Sequence, residues 1–154
     1  GSHNIEKCYQ VTTDVLNECY NELEIHKIDL KGTVLKPNMV IPGSHCKNKS
    51  SSEEIAKKTL DCLKKNVPSN VPGIAFLSGG QSSEEATEHL DLMNKMGDFP
   101  WELSFSYGRA LQAAPLNVWH GKEQNFDAAQ AAFMKRARLN SLAHQGQYSI
   151  DMEA

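Results

Sequence analysis

The chain lacks the features that mark several large classes of protein. Its 154 residues contain no apolar run of about 18 residues and no basic-then-apolar N-terminus, so neither a transmembrane helix nor a signal peptide is expected. A basic excess is also missing, because 16 Lys and Arg stand against 19 Asp and Glu, for a formal net charge of −3. This balance gives no reason to expect binding to nucleic acid or to an anionic membrane. No nucleotide-binding motif or Ser-His-Asp triad is recognisable.

The four cysteines and six histidines do not show the spacing of a metal site. The cysteines, at positions 8, 19, 46 and 62, include no Cys-x-x-Cys pair, so we expect reduced thiols in the cytosol and no disulfide framework. His45 beside Cys46 has no ligand spacing, and Glu85 with His89 does not form the zinc-protease pattern. We therefore expect that the chain binds no metal and that its histidines are surface or core residues.

The apolar residues that are present predict alternating helices and strands. With 40% apolar and 23% charged residues, the chain has the composition of one folded domain. Helical spacing predicts helices over 4–27, 51–66, 82–97, a short one from 110, and a last one over about 125–144, with Phe126, Ala129, Phe133 and Ala137 on its inner face. Ser51 and Ser82 each start an S-x-x-E capping box. Short runs at 33–36, 74–77 and 101–106 predict strands. The order predicts an α/β fold of about three parallel strands with flanking helices.

A distinctive cluster stands at the end of each predicted strand. Lys36 precedes Pro37 at the end of the first, Ser78-Gly79-Gly80 follows the second, and residues 106–109 (SYGR) end the third. Ligands of parallel α/β folds bind at the carboxyl ends of the strands. The three clusters therefore predict one site on one edge of the sheet.

The residue types leave two interpretations open for each of the first two clusters. Lys36 is either a solvated strand-end lysine, or a desolvated amine of lowered pKa that attacks a carbonyl and forms a Schiff base. The glycines at 79 and 80 form either a simple tight turn or a backbone cradle for an oxyanion. Arg109 offers a guanidinium that would grip a phosphate from the other side.

Together these segments resemble class I fructose-1,6-bisphosphate aldolase. The resemblance rests on residues 32–40 (GTVLKPNMV), 76–82 (FLSGGQS) and 105–112 (FSYGRALQ), and it extends through 140–146 (NSLAHQG). It implies a (β/α)8, TIM-type barrel, of which residues 1–154 form the C-terminal part as a single partial domain. It also implies a cytoplasmic, metal-independent lyase of glycolysis and gluconeogenesis. The reaction would reversibly cleave fructose 1,6-bisphosphate into dihydroxyacetone phosphate and glyceraldehyde 3-phosphate.

The same resemblance implies a role for each clustered residue. Lys36 would be the Schiff-base lysine, its imine serving as the electron sink so that no cofactor is needed. The residues implied in binding the substrate phosphate are Ser78, Gly79, Gly80, Ser106 and Arg109. The implied partners are a phosphorylated sugar and, for the full-length protein, further copies of itself in the family tetramer.

The chain also departs from the family. Earlier strands of the family carry its acid/base glutamate, its other active-site lysines and an aspartate. The family's tail closes with a tyrosine over the site, and no tyrosine follows Asp151 here. Ile41 stands where many members have threonine. Residues 1–3 (GSH) are either the remnant of a tag or native sequence, and the Asp-Gly-x-His segment that members carry at this place favours the second. Because three strands cannot close a barrel, we expect the isolated chain to be marginally stable, self-associating, and weakly active or inactive. The alternative is a non-catalytic fragment that retains a phosphate-binding or association surface.

Overall fold

The computed structural model describes residues 1–154, and its elements follow the order expected from the sequence. The helices are α1 (Ile5–Ile25), α2 (Ser52–Asn66), α3 (Ser83–Met96), α4 (Arg109–Trp119) and α5 (Phe126–His144). The strands are β1 (Val34–Leu35), β2 (Gly73–Phe76) and β3 (Glu102–Phe105). Short 3-10 helices span Leu30–Gly32, Glu123–Asn125 and Ile150–Glu153. The predicted alternation is confirmed, and each strand begins and ends within one residue of its expected position.

The three strands form one parallel sheet in the order β1-β2-β3. Val34 lies beside Gly73 of β2, and Ile74 lies beside Leu103 of β3. Neighbours in the sheet are therefore neighbours along the chain, as in successive units of a (β/α)8 barrel. The expectation of three parallel strands is confirmed.

The two faces of the sheet differ in their burial. Ile74, Phe76 and Leu103 are at most 1% exposed and face the helices. Successive residues of a strand point to opposite faces, so Val34 and Ala75 point to the other side, where Val34 is 65% exposed. This second face of the sheet is called the open face below.

Side-chain caps explain where two of the helices begin. The Ser82 hydroxyl accepts from the Glu85 N–H at 3.1 Å, and the Glu85 carboxylate accepts from the Ser82 N–H at 2.8 Å, so α3 has a complete capping box. At α2 only the first of these bonds forms, from the Glu54 N–H to the Ser51 hydroxyl at 3.2 Å. The expected box is thus complete at α3 and half-formed at α2. No helix of the chain combines the length and apolar character needed to cross a membrane.

Helix α5 buries a different face from the one expected. Of the predicted inner residues, Phe126 and Phe133 are 53% and 43% exposed, and Ala129 and Ala137 are only partly buried. The buried residues are instead Arg136, Leu139, Asn140 and Ala143. The prediction was wrong because it followed apolar character alone, whereas the C-terminal half of α5 packs on α3 and β3 with two polar residues inside.

Hydrogen bonding makes the burial of Arg136 possible. Its guanidinium donates to both Glu153 carboxylate oxygens at 2.6 Å, to the Ser83 carbonyl at 3.0 Å and to the Thr87 hydroxyl at 2.6 Å. Asn140 accepts from the Thr87 hydroxyl at 3.1 Å. Buried charges persist in proteins when they are paired and hydrogen-bonded in this way. The cluster joins α3, α5 and the C-terminal 3-10 helix.

Candidate functional site at the carboxyl ends of the strands

The structure brings the three predicted clusters to the same edge of the sheet. Beyond the strands proper, the Leu77 N–H donates to the Pro37 carbonyl at 3.0 Å, and the Ser106 N–H donates to the Phe76 carbonyl at 2.8 Å. These bonds continue the parallel ladder past the last strand residues. The segments that carry Lys36, the glycine turn and Ser106 therefore leave the sheet side by side.

Lys36 belongs to the open face. Leu35 is paired with Ile74, so continuing the register by one residue places Lys36 beside Ala75, which is itself paired with Ser104. The alternation of strand side chains puts Lys36 on the same side as these two small residues. Ser106, one pleat further along β3, shares that side and is half-buried. Two strand spacings separate β1 from β3, which amounts to roughly 10 Å across the sheet.

The Lys36 side chain is exposed to solvent. The expectation of an amine lodged among nonpolar neighbours is therefore not met by the residues of this chain. The physical reason is the open face, since no part of the chain packs over Lys36. A desolvated amine at this position requires further protein above the sheet.

The residues after β2 form a turn suited to an anion. The Gln81 N–H donates to the Ser78 carbonyl at 3.1 Å, and the two central residues, Gly79 and Gly80, have φ of 59° and 86°. Positive φ at both positions is characteristic of the type I′ class and strongly favours glycine. The N–H groups of Gly79 and Gly80 donate to no other atom of the protein. They are available to an external acceptor.

Arg109 lies next to this turn. A β-carbon built on Gly80 would lie 3.9 Å from Nη2 of Arg109, so the guanidinium lies close to the turn. Arg109 is also the first residue of α4, whose N-cap Gly108 supplies no side-chain cap. The free N–H groups of a helix start favour negative charge. The structure thus brings Arg109, Gly80 and an uncapped helix start together, as the sequence predicted for Arg109 and Gly80.

The two predicted serines are placed differently. Ser78 is only 5% exposed and lies at the base of the turn, whereas Ser106 is half-buried on the open face. Behind Ser106, the buried Tyr107 hydroxyl donates to the Ala86 carbonyl of α3 at 2.8 Å, and burial raises the pKa of this phenol. This bond ties the end of β3 to α3.

Sequence reasoning missed two residues at this site, Gln81 and His89. The Gln81 amide donates to the Ser78 carbonyl at 2.8 Å, and its oxygen lies 2.5 Å from Nδ1 of His89. His89 is 4% exposed, and burial lowers its pKa. Only the position of Gln81 directly after the glycine pair pointed to it, and nothing in the sequence linked His89 to the turn.

The remaining titratable groups form no metal centre. No group of three or more His, Cys, Asp or Glu side chains is arranged to hold a metal ion. All four cysteines are free thiols, and Cys62 alone is buried. Burial raises the pKa of the Cys62 thiol.

The fold defines the class of the protein, a run of consecutive strand–helix units from a (β/α)8 barrel, with the candidate site at the carboxyl ends of the strands. The sequence profile described as fructose-bisphosphate aldolase class-I matches residues 1–154. The chain belongs to the class-I fructose-bisphosphate aldolase family. The resemblance inferred from its three motifs is confirmed.

Individual relatives agree with this assignment. The chain is 53% identical over 154 residues to fructose-bisphosphate aldolase 4, cytosolic, of Arabidopsis thaliana. This alignment covers 99% of the chain and 39% of the relative. The chain is also 51% identical over 149 residues to fructose-bisphosphate aldolase C of Mus musculus. That alignment covers 96% of the chain and 41% of the relative. The chain thus spans about two fifths of the length of the curated relatives it matches.

A solved structure supports the same fold. It is the fructose-bisphosphate aldolase from Plasmodium falciparum in complex with TRAP and a small molecule inhibitor, with a TM-score of 0.94 and 45% sequence identity. The match covers 97% of this chain and 43% of that chain. The expected fold class, a partial (β/α)8 barrel, is confirmed.

Proposed function

We propose that this chain supplies the Schiff-base half of a class-I fructose-bisphosphate aldolase. The complete protein would reversibly cleave fructose 1,6-bisphosphate into dihydroxyacetone phosphate and glyceraldehyde 3-phosphate, a step of glycolysis and gluconeogenesis. The proposal is supported chiefly by the position of Lys36, a turn with two free N–H groups and Arg109 at the same end of the parallel strands, in a chain of this family.

Lys36 supplies the nucleophile of the proposed mechanism. Its neutral amine attacks the ketone carbon of the substrate, and the resulting carbinolamine takes up a proton and loses water, which gives a protonated imine. The C4 hydroxyl gives its proton to the acid/base group that the rest of the protein supplies, the electron pair of the bond between C3 and C4 passes to the imine, and glyceraldehyde 3-phosphate departs. Protonation of the resulting enamine and hydrolysis release dihydroxyacetone phosphate and restore the amine. The imine is the electron sink, so the proposal needs neither metal nor cofactor.

The turn and the start of α4 hold the substrate phosphate in this proposal. The free N–H groups of Gly79 and Gly80 donate to phosphate oxygens, and Arg109 supplies the positive charge. Ser106 donates from the open face, and Ser78 supports the turn from below. Hydrogen bonds to a charged group are stronger than neutral ones, so Arg109 makes the largest single contribution.

In this proposal, Lys36 becomes reactive when further protein covers the open face. A solvated ammonium is a poor nucleophile, and desolvation favours its neutral form. We propose that the protein that closes the barrel packs over Lys36 and contributes the acid/base glutamate that the family places on earlier strands. By itself, this chain has low or undetectable turnover.

A second candidate function applies to the chain alone, namely phosphate binding without turnover. It is favoured by the contrast between Lys36, which is exposed, and the turn with Arg109, whose geometry is complete within these residues. A cytoplasmic location and a homo-oligomeric full-length protein belong to the main proposal. The first is supported by the relative named cytosolic, and the second rests on the family resemblance.

Borohydride trapping tests the imine. The chain is incubated with dihydroxyacetone phosphate, reduced with borohydride, digested and analysed by mass spectrometry. A covalent adduct is expected on the peptide that contains Lys36 and is expected to disappear in Lys36→Met. Lys31→Met removes an exposed lysine close by and serves as the matched control. An adduct that survives Lys36→Met, or no adduct in the native chain, overturns the assignment of Lys36.

A further inference from the structure

Gln81 lies at the centre of a chain of side-chain contacts behind the glycine turn. Its Nε2 donates to the Ser78 carbonyl at 2.8 Å and lies 3.6 Å from Sδ of Met39, which is 1% exposed. Its Oε1 lies 2.5 Å from Nδ1 of His89 on α3. Met39 belongs to the loop that follows Lys36. One side chain therefore contacts the turn, the helix behind it and the loop after the lysine.

The chemistry of these groups fixes the direction of each bond. The Ser78 carbonyl only accepts, so the amide nitrogen of Gln81 must face it. The amide oxygen then faces His89 and also only accepts, so Nδ1 of His89 must carry a proton. His89 is therefore held as its Nδ1–H tautomer.

The surroundings of His89 favour this neutral form. The ring is 4% exposed, and burial lowers its pKa more strongly than the nearby carboxylates of Glu85 and Glu88 raise it. A neutral ring keeps a single ring proton, and the bond to Gln81 holds that proton on Nδ1.

The turn needs such support because its own backbone is permissive. Gly79 and Gly80 both have positive φ and carry no side chain to restrict them. Gln81 is the only residue whose side chain hydrogen-bonds to the backbone of residues 78–80. Without it, the two free N–H groups have nothing beyond the turn bond itself to keep them pointing in a fixed direction.

We propose that Gln81 and His89 are positioning residues for phosphate binding, with His89 fixing the Gln81 amide and Gln81 fixing the turn that presents the N–H groups of Gly79 and Gly80. This inference rests on the proposed phosphate site. Neither side chain contacts the phosphate in this arrangement. Their effect is to lower the conformational cost of binding, since a pre-organised site loses less freedom when it is occupied.

The test is an NMR titration of the ¹⁵N-labelled chain with inorganic phosphate, followed at the amide signals of Gly79 and Gly80. Gln81→Met keeps the side-chain length but removes both polar contacts, and it is expected to weaken phosphate binding about 10-fold. His89→Leu removes only the ring donor and is expected to weaken binding about 3-fold, whereas His89→Gln retains a donor and restores binding. In the Gln81→Met background, His89→Leu is expected to cause no further loss, because the two residues act in series.

The double-mutant comparison and the histidine tautomer separate this role from simple packing. Additive losses, or equal binding by His89→Leu and His89→Gln, overturn the proposal. A long-range ¹H–¹⁵N spectrum of the native chain is expected to show the neutral Nδ1–H tautomer of His89 at pH 7. An Nε2–H tautomer or an imidazolium overturns the proposal even if the leucine variant does not fold.

Arg109→Ala distinguishes a failure of this inference from a failure of the proposed function. If Arg109→Ala weakens phosphate binding and Gln81→Met does not, the positioning role is wrong and the phosphate site stands. If phosphate shifts neither glycine amide and Arg109→Ala changes nothing, both proposals are wrong.

Discussion

At the scale of single residues, the backbone of Gly80 links stability to the proposed function. Its φ of 86° strains any residue with a β-carbon, and that carbon would lie 3.9 Å from Nη2 of Arg109. Gly97 at the end of α3 also has a positive φ, of 57° with a ψ of −157°, but no atom lies within 4 Å of a β-carbon built there. Both glycines have a positive φ, but only Gly80 has Arg109 as a neighbour.

Alanine at each position separates the two effects. Gly80→Ala and Gly97→Ala are each expected to lower the free energy of unfolding by about 1 to 3 kcal/mol, because both force a positive φ on a residue with a side chain. Only Gly80→Ala is expected to weaken phosphate binding as well. Urea unfolding and phosphate titration measure the two quantities. Equal phosphate affinity in both variants would contradict the placement of the turn in the site.

The sequence predicted the identity of the clustered residues better than their surroundings. Lys36, the glycine pair and Arg109 were located because each follows a strand, and strand ends meet at one edge. The sequence left open whether Lys36 is solvated or desolvated, since burial depends on what covers a sheet face rather than on neighbours in sequence. The contact between Gln81 and His89 was missed for a similar reason, because eight residues and a helix start separate them.

At the scale of elements, one buried hydroxyl ties β3 to α3. The Tyr107 hydroxyl donates to the Ala86 carbonyl at 2.8 Å, and the ring is 6% exposed. The Tyr9 hydroxyl also makes a bond of 2.8 Å, to Asp61, but at the exposed surface between α1 and α2. A buried acceptor that loses its donor is costly, whereas a surface acceptor finds water.

Phenylalanine at the two positions tests this difference. Tyr107→Phe is expected to lower the free energy of unfolding by about 1 to 2 kcal/mol, and Tyr9→Phe by no more than about 0.5 kcal/mol. Denaturant titrations at pH 7 measure both. Burial raises the pKa of Tyr107 above its usual value of 10.0, so above that pH the unfolded phenol loses its proton before the folded one does. Stability should therefore fall as pH rises past about 10, and less steeply in Tyr107→Phe.

Element order and strand bounds followed from apolar patterning, caps and turn residues. The inner face of α5 did not, because the helix changes partner along its length. Its N-terminal half lines an open groove with α4, where Phe126 and Phe133 stay exposed, while its C-terminal half buries Arg136 against Glu153. The stripe of apolar residues was visible in sequence, but the partner that would cover it was not.

At the scale of the whole molecule, two apolar surfaces lie open. Between α4 and α5, a groove of about 490 Å³ is lined chiefly by Leu116, Trp119, Phe126, Phe133 and Met134. On α1, Val11 and Val15 are 45% and 53% exposed. Contiguous exposed apolar surface of this kind favours association with other protein.

The isolated chain is therefore expected to self-associate and to bind a dye for apolar surface. Sedimentation velocity over a range of concentrations measures the first property, and dye fluorescence measures the second. Phe133→Glu, in the groove, is expected to reduce association, whereas Lys122→Glu, outside it, is not. A monomer with a sharp melting transition and little dye fluorescence would contradict this picture.

The central claim is that the carboxyl ends of the strands carry both an imine-forming amine and a phosphate-binding site. A comparison of two ketones tests both parts at once. Borohydride trapping at Lys36 is quantified by mass spectrometry with dihydroxyacetone phosphate and with dihydroxyacetone, in the native chain and in Arg109→Ala. Dihydroxyacetone phosphate is expected to label Lys36 at least about 10-fold more than dihydroxyacetone does. Arg109→Ala is expected to remove most of this difference. Equal labelling by the two ketones, or adducts spread over the exposed lysines, would contradict the account.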